Sequence, residues 1–135
     1  MPIDRDVVSS RIAEIRECIR ELLKLASKPY EELSIYERYS MRYLIIVLVE
    51  ALVSLCIHVA KEVFEYVPKS YVDCVKYVGE KLGVKCLNDL IALVKLRNLI
   101  VHRYWVVDDR EIRDSIVQDF KCVNDFIRVI EREFL

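Results

Sequence analysis

The sequence predicts an all-α protein, an antiparallel bundle of four to five helices. Long segments repeat apolar residues at every third or fourth position, which is the period of an amphipathic helix. Only two Gly and three Pro interrupt the 135 residues, and a chain with few turn residues makes few turns. The apolar–polar alternation of a half-buried strand is nowhere sustained. These observations exclude an all-β domain with many hairpins and fit one domain that spans residues 1–135.

The first two predicted helices have recognisable starts and stops. The first runs from about Asp4 to Ser27, and Pro29 follows its end. Ser34 and Glu37 form a capping-box pattern, S-x-x-E, which opens a second helix that reaches about Tyr66. The apolar stripe of the first helix consists of Val8, Ile12, Ile15, Ile19, Leu22 and Ala26.

Three more helices complete the predicted bundle. The third runs from about Ser70 to Leu82 and stops at Gly83, a residue type that favours helix ends. The fourth runs from about Leu87 toward His102, and the last begins near Asp108. The apolar residues of the last helix are Ile112, Ile116, Phe120, Val123, Ile127, Ile130 and Phe134.

The stretch from Tyr43 to Ala60 in the second helix is apolar enough to suggest a membrane span. It contains Glu50 and His58, however, and a charged residue near the centre of a bilayer is costly. The central helix of a bundle can be nearly as apolar as a membrane span. We therefore expect a buried core helix and no membrane.

Polar residues on the second helix follow one another at intervals of four and share a face; they are Glu50, Ser54 and His58. They form either a polar seam, solvated or paired with another helix, or one wall of a cleft. In the second interpretation Glu50 or His58 orients a catalytic group. The spacing alone does not choose between the two.

The composition limits the classes of function. Lys and Arg number 21 against 22 Asp and Glu, a formal net charge of −1, so any binding to nucleic acid must be local. Five scattered Cys without a C-x-x-C pattern predict neither a disulfide framework nor a zinc site. With only two His besides, we expect no metal and no cofactor. The first residues lack the apolar run of a signal peptide, which predicts a cytoplasmic protein.

One segment has the residue types of a functional site. It runs from Leu90 through Val107, has no acidic residue, and contains His102 and the only tryptophan, Trp105. Its three basic residues are Lys95, Arg97 and Arg103. A guanidinium binds phosphate with a planar pair of donors, and an imidazole exchanges a proton near neutral pH. The segment thus fits an anion site, although a structural Arg and a helix-capping His fit it as well.

The helical positions of these residues constrain how they act together. At about 100° per residue, Asn98 and His102 share a face, as do Arg97 and Tyr104 if the helix continues that far. Arg97 and His102 diverge by about 140°. Both can serve one phosphate only if the helix ends between them or a second subunit completes the site. The residues that follow Tyr104 have the character of packing residues that anchor the segment; they are Trp105, Val106 and Val107.

The segment also resembles the motif of a known family. Arg97, Asn98, His102 and Tyr104 match the R-x4-H-x-Y pattern of the HepT toxins, a branch of the HEPN superfamily. The helices around the motif are similar to that family along nearly the whole chain, which implies a HEPN-like helical domain. The sequence departs from the family at one point, because many relatives carry an acidic residue on the second helix where this chain has Ser54.

The resemblance implies a metal-independent endoribonuclease that is the toxin of a toxin–antitoxin pair. Carried over by position, the catalytic residues are Arg97, His102 and Asn98. Tyr104 is the residue that accepts AMP from the antitoxin, an MntA-like minimal nucleotidyltransferase. An imidazole can deprotonate a ribose 2′-hydroxyl, and a guanidinium can stabilise charge on the phosphorane. An AMP group on Tyr104 would add bulk and negative charge, and would compete with RNA phosphate for Arg97.

Further residues are assigned to supporting roles. Lys95 and Arg103 are candidates for contacts to RNA phosphates, and Glu50 and His58 are candidates for support of the site. One motif supplies only one His, whereas acid–base cleavage of RNA benefits from two proton-transfer groups. We therefore expect a homodimer with the two motif helices near its axis.

Two other interpretations are open. The chain can be a non-catalytic nucleotide-binding HEPN module that partners a nucleotidyltransferase, or a structural dimer in which Arg97 and His102 make interface hydrogen bonds. RNA cleavage that is lost in His102→Ala favours the enzyme. Nucleotide binding without cleavage favours the module.

Overall fold

A computed structural model describes residues 3–135 and folds them into five α-helices. The helices are α1 (Arg5–Ala26), α2 (Ile35–Phe64), α3 (Tyr71–Lys81), α4 (Leu87–His102) and α5 (Asp109–Phe134). Two short 3-10 helices, in the α1–α2 and α4–α5 connections, are Tyr30–Glu32 and Tyr104–Val106. Residues 3–135 contain no strand, and the predicted all-α bundle is confirmed.

Local capping sets the helix ends, which lie within two residues of the predicted ones. The Asp4 carboxylate accepts hydrogen bonds from two backbone N–H groups in the first turn of α1. Ser34 and Glu37 form the predicted capping box at the start of α2, with both reciprocal hydrogen bonds present. α2 ends before the predicted Tyr66 because Glu65 adopts a left-handed backbone conformation, with φ 52°, which stops the helix.

α2 is the central helix and packs against all four of the others. Its fully buried side chains include Leu48, Val49, Leu52, Leu55, Cys56 and Val59. By length and composition alone this helix could span a membrane, since the mean hydropathy of its most apolar window is 2.4. In the bundle, 56% of that window is buried. α2 is therefore a core helix, as predicted.

Cys86 and Cys122 form a disulfide between the residue before α4 and the middle of α5. The cysteine spacing predicted no disulfide framework and did not anticipate this single pair. The two residues are 36 positions apart and become neighbours only when α4 and α5 pack together, which no spacing rule reveals. The other three cysteines are free and buried; they are Cys18, Cys56 and Cys74.

Asp119 on α5 is the one charged residue in the core of residues 3–135, with 6% of its surface exposed. Burial raises the pKa of its carboxyl from 3.8 to about 6. The nearby carboxylate of Asp89 adds to this rise, and a hydrogen bond with Ser115 opposes it. Ionised Asp119 therefore destabilises the folded state.

We predict that Asp119→Asn stabilises the protein at about pH 7 and above but not below about pH 4. Between the two pKa values the folded wild-type chain holds a proton that the unfolded chain has released. The stability of the wild-type protein therefore falls as the pH rises through this range. Because the pKa of Asp119 is raised by about two, its ionisation lowers the free energy of unfolding by at most about 3 kcal/mol at neutral pH. Urea unfolding of both proteins across this pH range measures the difference.

Asp114→Asn is the matched control, because Asp114 is on the same helix but is exposed. It should change the free energy of unfolding by less than about 0.5 kcal/mol. A gain from Asp119→Asn that does not vary with pH would contradict the raised pKa.

Candidate active site

Arg97 on α4 lies against α2 and α3, where polar side chains hold its guanidinium. Its Nη2 donates a hydrogen bond to Oε1 of Glu50, and its Nη1 donates to Oδ1 of Asn98 at 3.0 Å. The hydroxyl of Tyr71 donates to the other carboxylate oxygen of Glu50 at 2.8 Å. The Cζ of Arg97 also lies over the Tyr71 ring, 4.8 Å from its centroid, in a cation–π contact. We call these four residues the Arg97 cluster.

Glu50 is the acceptor that joins this cluster. Its hydrogen bond with Tyr71 raises the pKa of that phenol, and burial and the negative charge of Glu50 act in the same direction. The Arg97 side chain is 15% exposed and that of Glu50 41%. The guanidinium is thus fixed in place, and a phosphate that binds it has to share it with Glu50.

A surface hollow of about 440 Å³, which we call the α4 hollow, opens on the exposed part of α4. It is lined by Lys95, Asn98, Leu99, His102 and Arg103. No carboxylate lines it, and no ion pair formed within residues 3–135 involves Lys95 or Arg103. His102 is exposed at the last position of α4. The surface of the hollow is mainly apolar, but the cations of Lys95 and Arg103 and the accessible imidazole of His102 belong to the residues that line it and suit an anionic ligand.

Arg97 and His102 lie on one uninterrupted helix, because α4 continues to His102. Five residues along a regular helix correspond to about 7.5 Å of rise and about 140° of rotation, so the two side chains leave α4 in different directions. The helix does not end between them, which leaves a second subunit as the way for both to serve one phosphate. Asn98 links the two regions, because it accepts a hydrogen bond from Arg97 and also lines the α4 hollow.

The polar stripe on α2 does not form one wall of this site. Glu50 contacts Arg97, but His58 lies eight residues further on, about 12 Å along the helix axis and about 80° around it. The Nε2 of His58 accepts a hydrogen bond from the backbone N–H of Asp4 at 3.0 Å, at the start of α1. The structure therefore does not bring His58, a candidate for support of the site, to Arg97, because rise and rotation carry its side chain to the start of another helix.

Tyr104 lies beyond the end of α4, in a 3-10 helix, so it does not continue the helical face of Arg97. It is accessible, with 63% of its surface exposed. The prediction that the next three residues pack holds only for Val107, which is buried. Trp105 and Val106 are exposed, because the chain passes over the surface here before α5 begins.

Arg42 on α2 holds the segment from Tyr104 to Val107, which we call the 104–107 turn. Its Nη1 donates to the carbonyl oxygen of Tyr104 at 3.0 Å, and its Nη2 donates to that of Val107 at 2.9 Å. Its Nε donates to Oδ1 of Asp109 at 2.7 Å, in an ion pair at the start of α5. No sequence signal identified Arg42, which lies 62 residues before Tyr104 and directly precedes the apolar stretch of α2.

We predict that Arg42→Ala lowers the free energy of unfolding by roughly 2 to 4 kcal/mol, because Asp109 loses its ion pair and two carbonyl groups lose a donor. Arg42→Lys should recover only part of this, because one ammonium group cannot reproduce the planar fork of donors. Arg16→Ala is the matched control: it breaks an exposed pair with Glu131 and should cost less than about 1 kcal/mol. Equal losses from the two alanine variants in urea denaturation would contradict the role of Arg42.

Solved structures share this fold. A toxin–antitoxin crystal structure with AMP-PNP matches with a TM-score of 0.85 at 19% identity, over 95% of this chain and 99% of that chain. A tri-AMPylated HEPN toxin from Shewanella oneidensis, in complex with an MNT antitoxin, matches with a TM-score of 0.85 at 20% identity, over 95% and 98%. YutE, a cytosolic protein of unknown function from Bacillus subtilis, matches with a TM-score of 0.81 at 17% identity, over 96% and 90%. At these identities the likeness shows the fold.

No curated protein matches this chain, but a family model does. The family model described as ribonuclease HepT-like matches residues 14–130, which include the Arg97 cluster and the α4 hollow. The resemblance inferred from the motif is confirmed, and the chain belongs to the ribonuclease HepT-like family.

Proposed function

We propose that this protein is the toxin of a toxin–antitoxin pair and acts in the cytoplasm. It is a ribonuclease that cleaves RNA at α4 and needs no metal ion. The observation that supports this most is the arrangement on α4, which has a fixed guanidinium on Arg97 and an exposed imidazole on His102; Asn98 accepts a hydrogen bond from the first and lines the same hollow as the second. The ribonuclease HepT-like family and the fold shared with toxin–antitoxin structures support the same function.

In the proposed reaction His102 acts as the general base. Its neutral imidazole takes the proton of a ribose 2′-hydroxyl, whose oxygen attacks the adjacent phosphorus and displaces the 5′-oxygen of the next nucleotide. Arg97 donates hydrogen bonds to the nonbridging oxygens and stabilises the extra negative charge of the phosphorane. Lys95 and Arg103 bind neighbouring phosphates. A second proton-transfer group protonates the leaving oxygen.

A homodimer completes the site in this proposal. The two α4 helices lie near a twofold axis, and each site takes Arg97 from one copy and His102 from the other. This arrangement reconciles one uninterrupted α4 with the need for both groups at one phosphate.

The antitoxin in this proposal is an MntA-like nucleotidyltransferase that modifies Tyr104. The phenol oxygen attacks the α-phosphorus of ATP, an oxygen–phosphorus bond forms, and pyrophosphate leaves. The exposure of Tyr104 makes the hydroxyl accessible to a partner, whose active site has to supply the base or metal that activates it. The added phosphate places negative charge beside Arg103 and competes with RNA for the cationic site.

A nucleotide-binding module without ribonuclease activity is the second candidate. The pairing of Arg97 with Glu50 favours it, because Glu50 already occupies part of the guanidinium and reduces its attraction for a developing phosphorane charge. A module needs only ground-state affinity for a nucleotide, which Lys95, Arg103 and Asn98 can provide.

We predict that His102→Ala and Arg97→Ala each lower RNA cleavage at least about a hundredfold, because the first removes the general base and the second the phosphorane donor. Fragment analysis on gels measures cleavage, and circular dichroism checks the fold. His58→Ala is the matched control, since it removes the other histidine, which is hydrogen-bonded at the start of α1, and it should cleave like the wild type. If His102→Ala cleaved RNA at the wild-type rate, His102 would not be the general base. Nucleotide binding with no cleavage by any form would favour the module.

A mixture of the two inactive variants tests whether each site is shared between copies. In a mixed dimer of Arg97→Ala and His102→Ala chains, one site lacks both groups and the other has both. If half of the dimers are mixed, activity should return to about a quarter of the wild-type value. No recovery in a mixture in which native mass spectrometry detects mixed dimers would place both groups of a site on one copy.

We predict that Tyr104→Phe prevents AMP transfer to this protein, because it removes the accepting oxygen and leaves the ring. Intact mass after incubation with a purified MntA-like partner and ATP measures the adduct. Tyr43→Phe is the matched control, because Tyr43 is 66% exposed on α2, and it should be modified like the wild type. An adduct that persists in Tyr104→Phe would place the modification elsewhere.

A further inference from the structure

Trp105 is an uncovered aromatic residue in the 104–107 turn. It is the only tryptophan of the chain, and 67% of its surface is exposed. Its ring meets that of Tyr104 edge to face, with the ring centroids 5.4 Å apart, and Tyr104 is also exposed. Burial of such large rings is strongly favourable. An exposed pair of them therefore indicates a binding surface.

The turn that presents the two rings is held in place. Arg42 binds the carbonyl oxygens of Tyr104 and Val107, and the Val107 side chain is buried. The rings thus project from a fixed backbone. A preorganised aromatic surface loses little conformational entropy when a ligand stacks on it.

The charges around the turn favour nucleic acid over an apolar protein partner. Arg103 directly precedes the rings, and no acidic residue lies between Leu90 and Val107. The nearest carboxylates in the sequence are engaged: Asp108 accepts a backbone N–H at the start of α5 at 2.9 Å, and Asp109 pairs with Arg42. Exposed aromatic rings beside unneutralised cations are typical of sites for single-stranded nucleic acid, where bases stack and phosphates pair with Lys or Arg.

We propose that Trp105 is a base-stacking residue for single-stranded RNA. An unpaired nucleobase stacks on the indole, while the adjoining phosphates lie along Arg103 and the α4 hollow. This proposal rests on the proposed ribonuclease function and adds the substrate class to it. The substrate is a strand whose bases are free to leave the stack, because the bases of a duplex are covered on both faces.

The single tryptophan makes the test direct, because all tryptophan emission of the protein comes from Trp105. The wild-type chain is titrated with a short 2′-O-methyl RNA strand, which lacks the 2′-hydroxyl and is not cleaved in the proposed reaction. Stacking should quench the emission until the site is saturated. The same strand annealed to its complement should quench weakly at the same phosphate concentration.

Substitutions separate stacking from other roles of this residue. Trp105→Leu should weaken binding of the labelled strand about tenfold or more in fluorescence anisotropy, whereas Trp105→Tyr should retain most of it because a phenol ring also stacks. In the cleavage assay Trp105→Leu should raise KM more than it lowers kcat. Tyr36→Leu removes another exposed ring, 77% exposed on α2, and should leave binding unchanged.

The contrary outcomes are distinguishable. Strand binding without quenching, or wild-type affinity in Trp105→Leu, would overturn the stacking role while cleavage that depends on His102 stands. Tryptophan emission that changes only when the antitoxin binds, or when the protein self-associates without RNA, would also overturn the stacking role. It would place the rings of Tyr104 and Trp105 in a protein interface. Quenching by single-stranded RNA in a protein that cleaves no RNA would support stacking and overturn the ribonuclease function.

Discussion

Because α2 is apolar around most of its circumference, the chain has to surround it with the other four helices. Packing on this scale leaves few places for charge, and the guanidinium of Arg97 on α4, whose side chain is only 15% exposed, needs a partner once the helices pack together. Glu50 near the middle of α2 is that partner, and Tyr71 on α3 donates a hydrogen bond to the same carboxylate. The contact that satisfies Arg97 also fixes it, so the packing around α2 and the candidate site have one physical origin.

α4 consequently has two faces with different electrostatics. On one, the guanidinium of Arg97 is held in position but partly neutralised by Glu50. On the other, His102 is exposed and the basic residues of the α4 hollow have no ion pair within residues 3–135. On the function proposed above, attraction of a polyanion depends on the second face, whereas orientation at a single phosphate depends on the first. Asn98 belongs to both, because it accepts a hydrogen bond from Arg97 and lines the α4 hollow.

The helices could be predicted from the sequence because their signals are local: caps, apolar periods and the residues that stop them. The motif residues could be recognised for a similar reason, since they lie within eight positions of one another. What could not be predicted depends on distant partners. Arg42 meets Tyr104 across 62 residues, and the disulfide between α4 and α5 spans 36. Periodicity does not apply to the three-residue 3-10 helix between α4 and α5, so it could not predict that Trp105 is exposed. The shared helical face on α2 did not reveal that His58 is hydrogen-bonded to the start of α1.

In the 104–107 turn the backbone is held by hydrogen bonds, whereas the side chains of Tyr104 and Trp105 are exposed. Arg42 binds the backbone of the turn and not the phenol of Tyr104, so a group added to that phenol leaves the hydrogen bonds of the turn intact. On the functions proposed above, the adenine of an AMP group on Tyr104 would be within reach of Trp105, because the two rings are in contact. The modification would then cover the stacking surface with a base and bring a phosphate to Arg103. Both elements of single-stranded RNA recognition, base stacking and phosphate pairing, would be blocked by one nucleotide without any change in the fold.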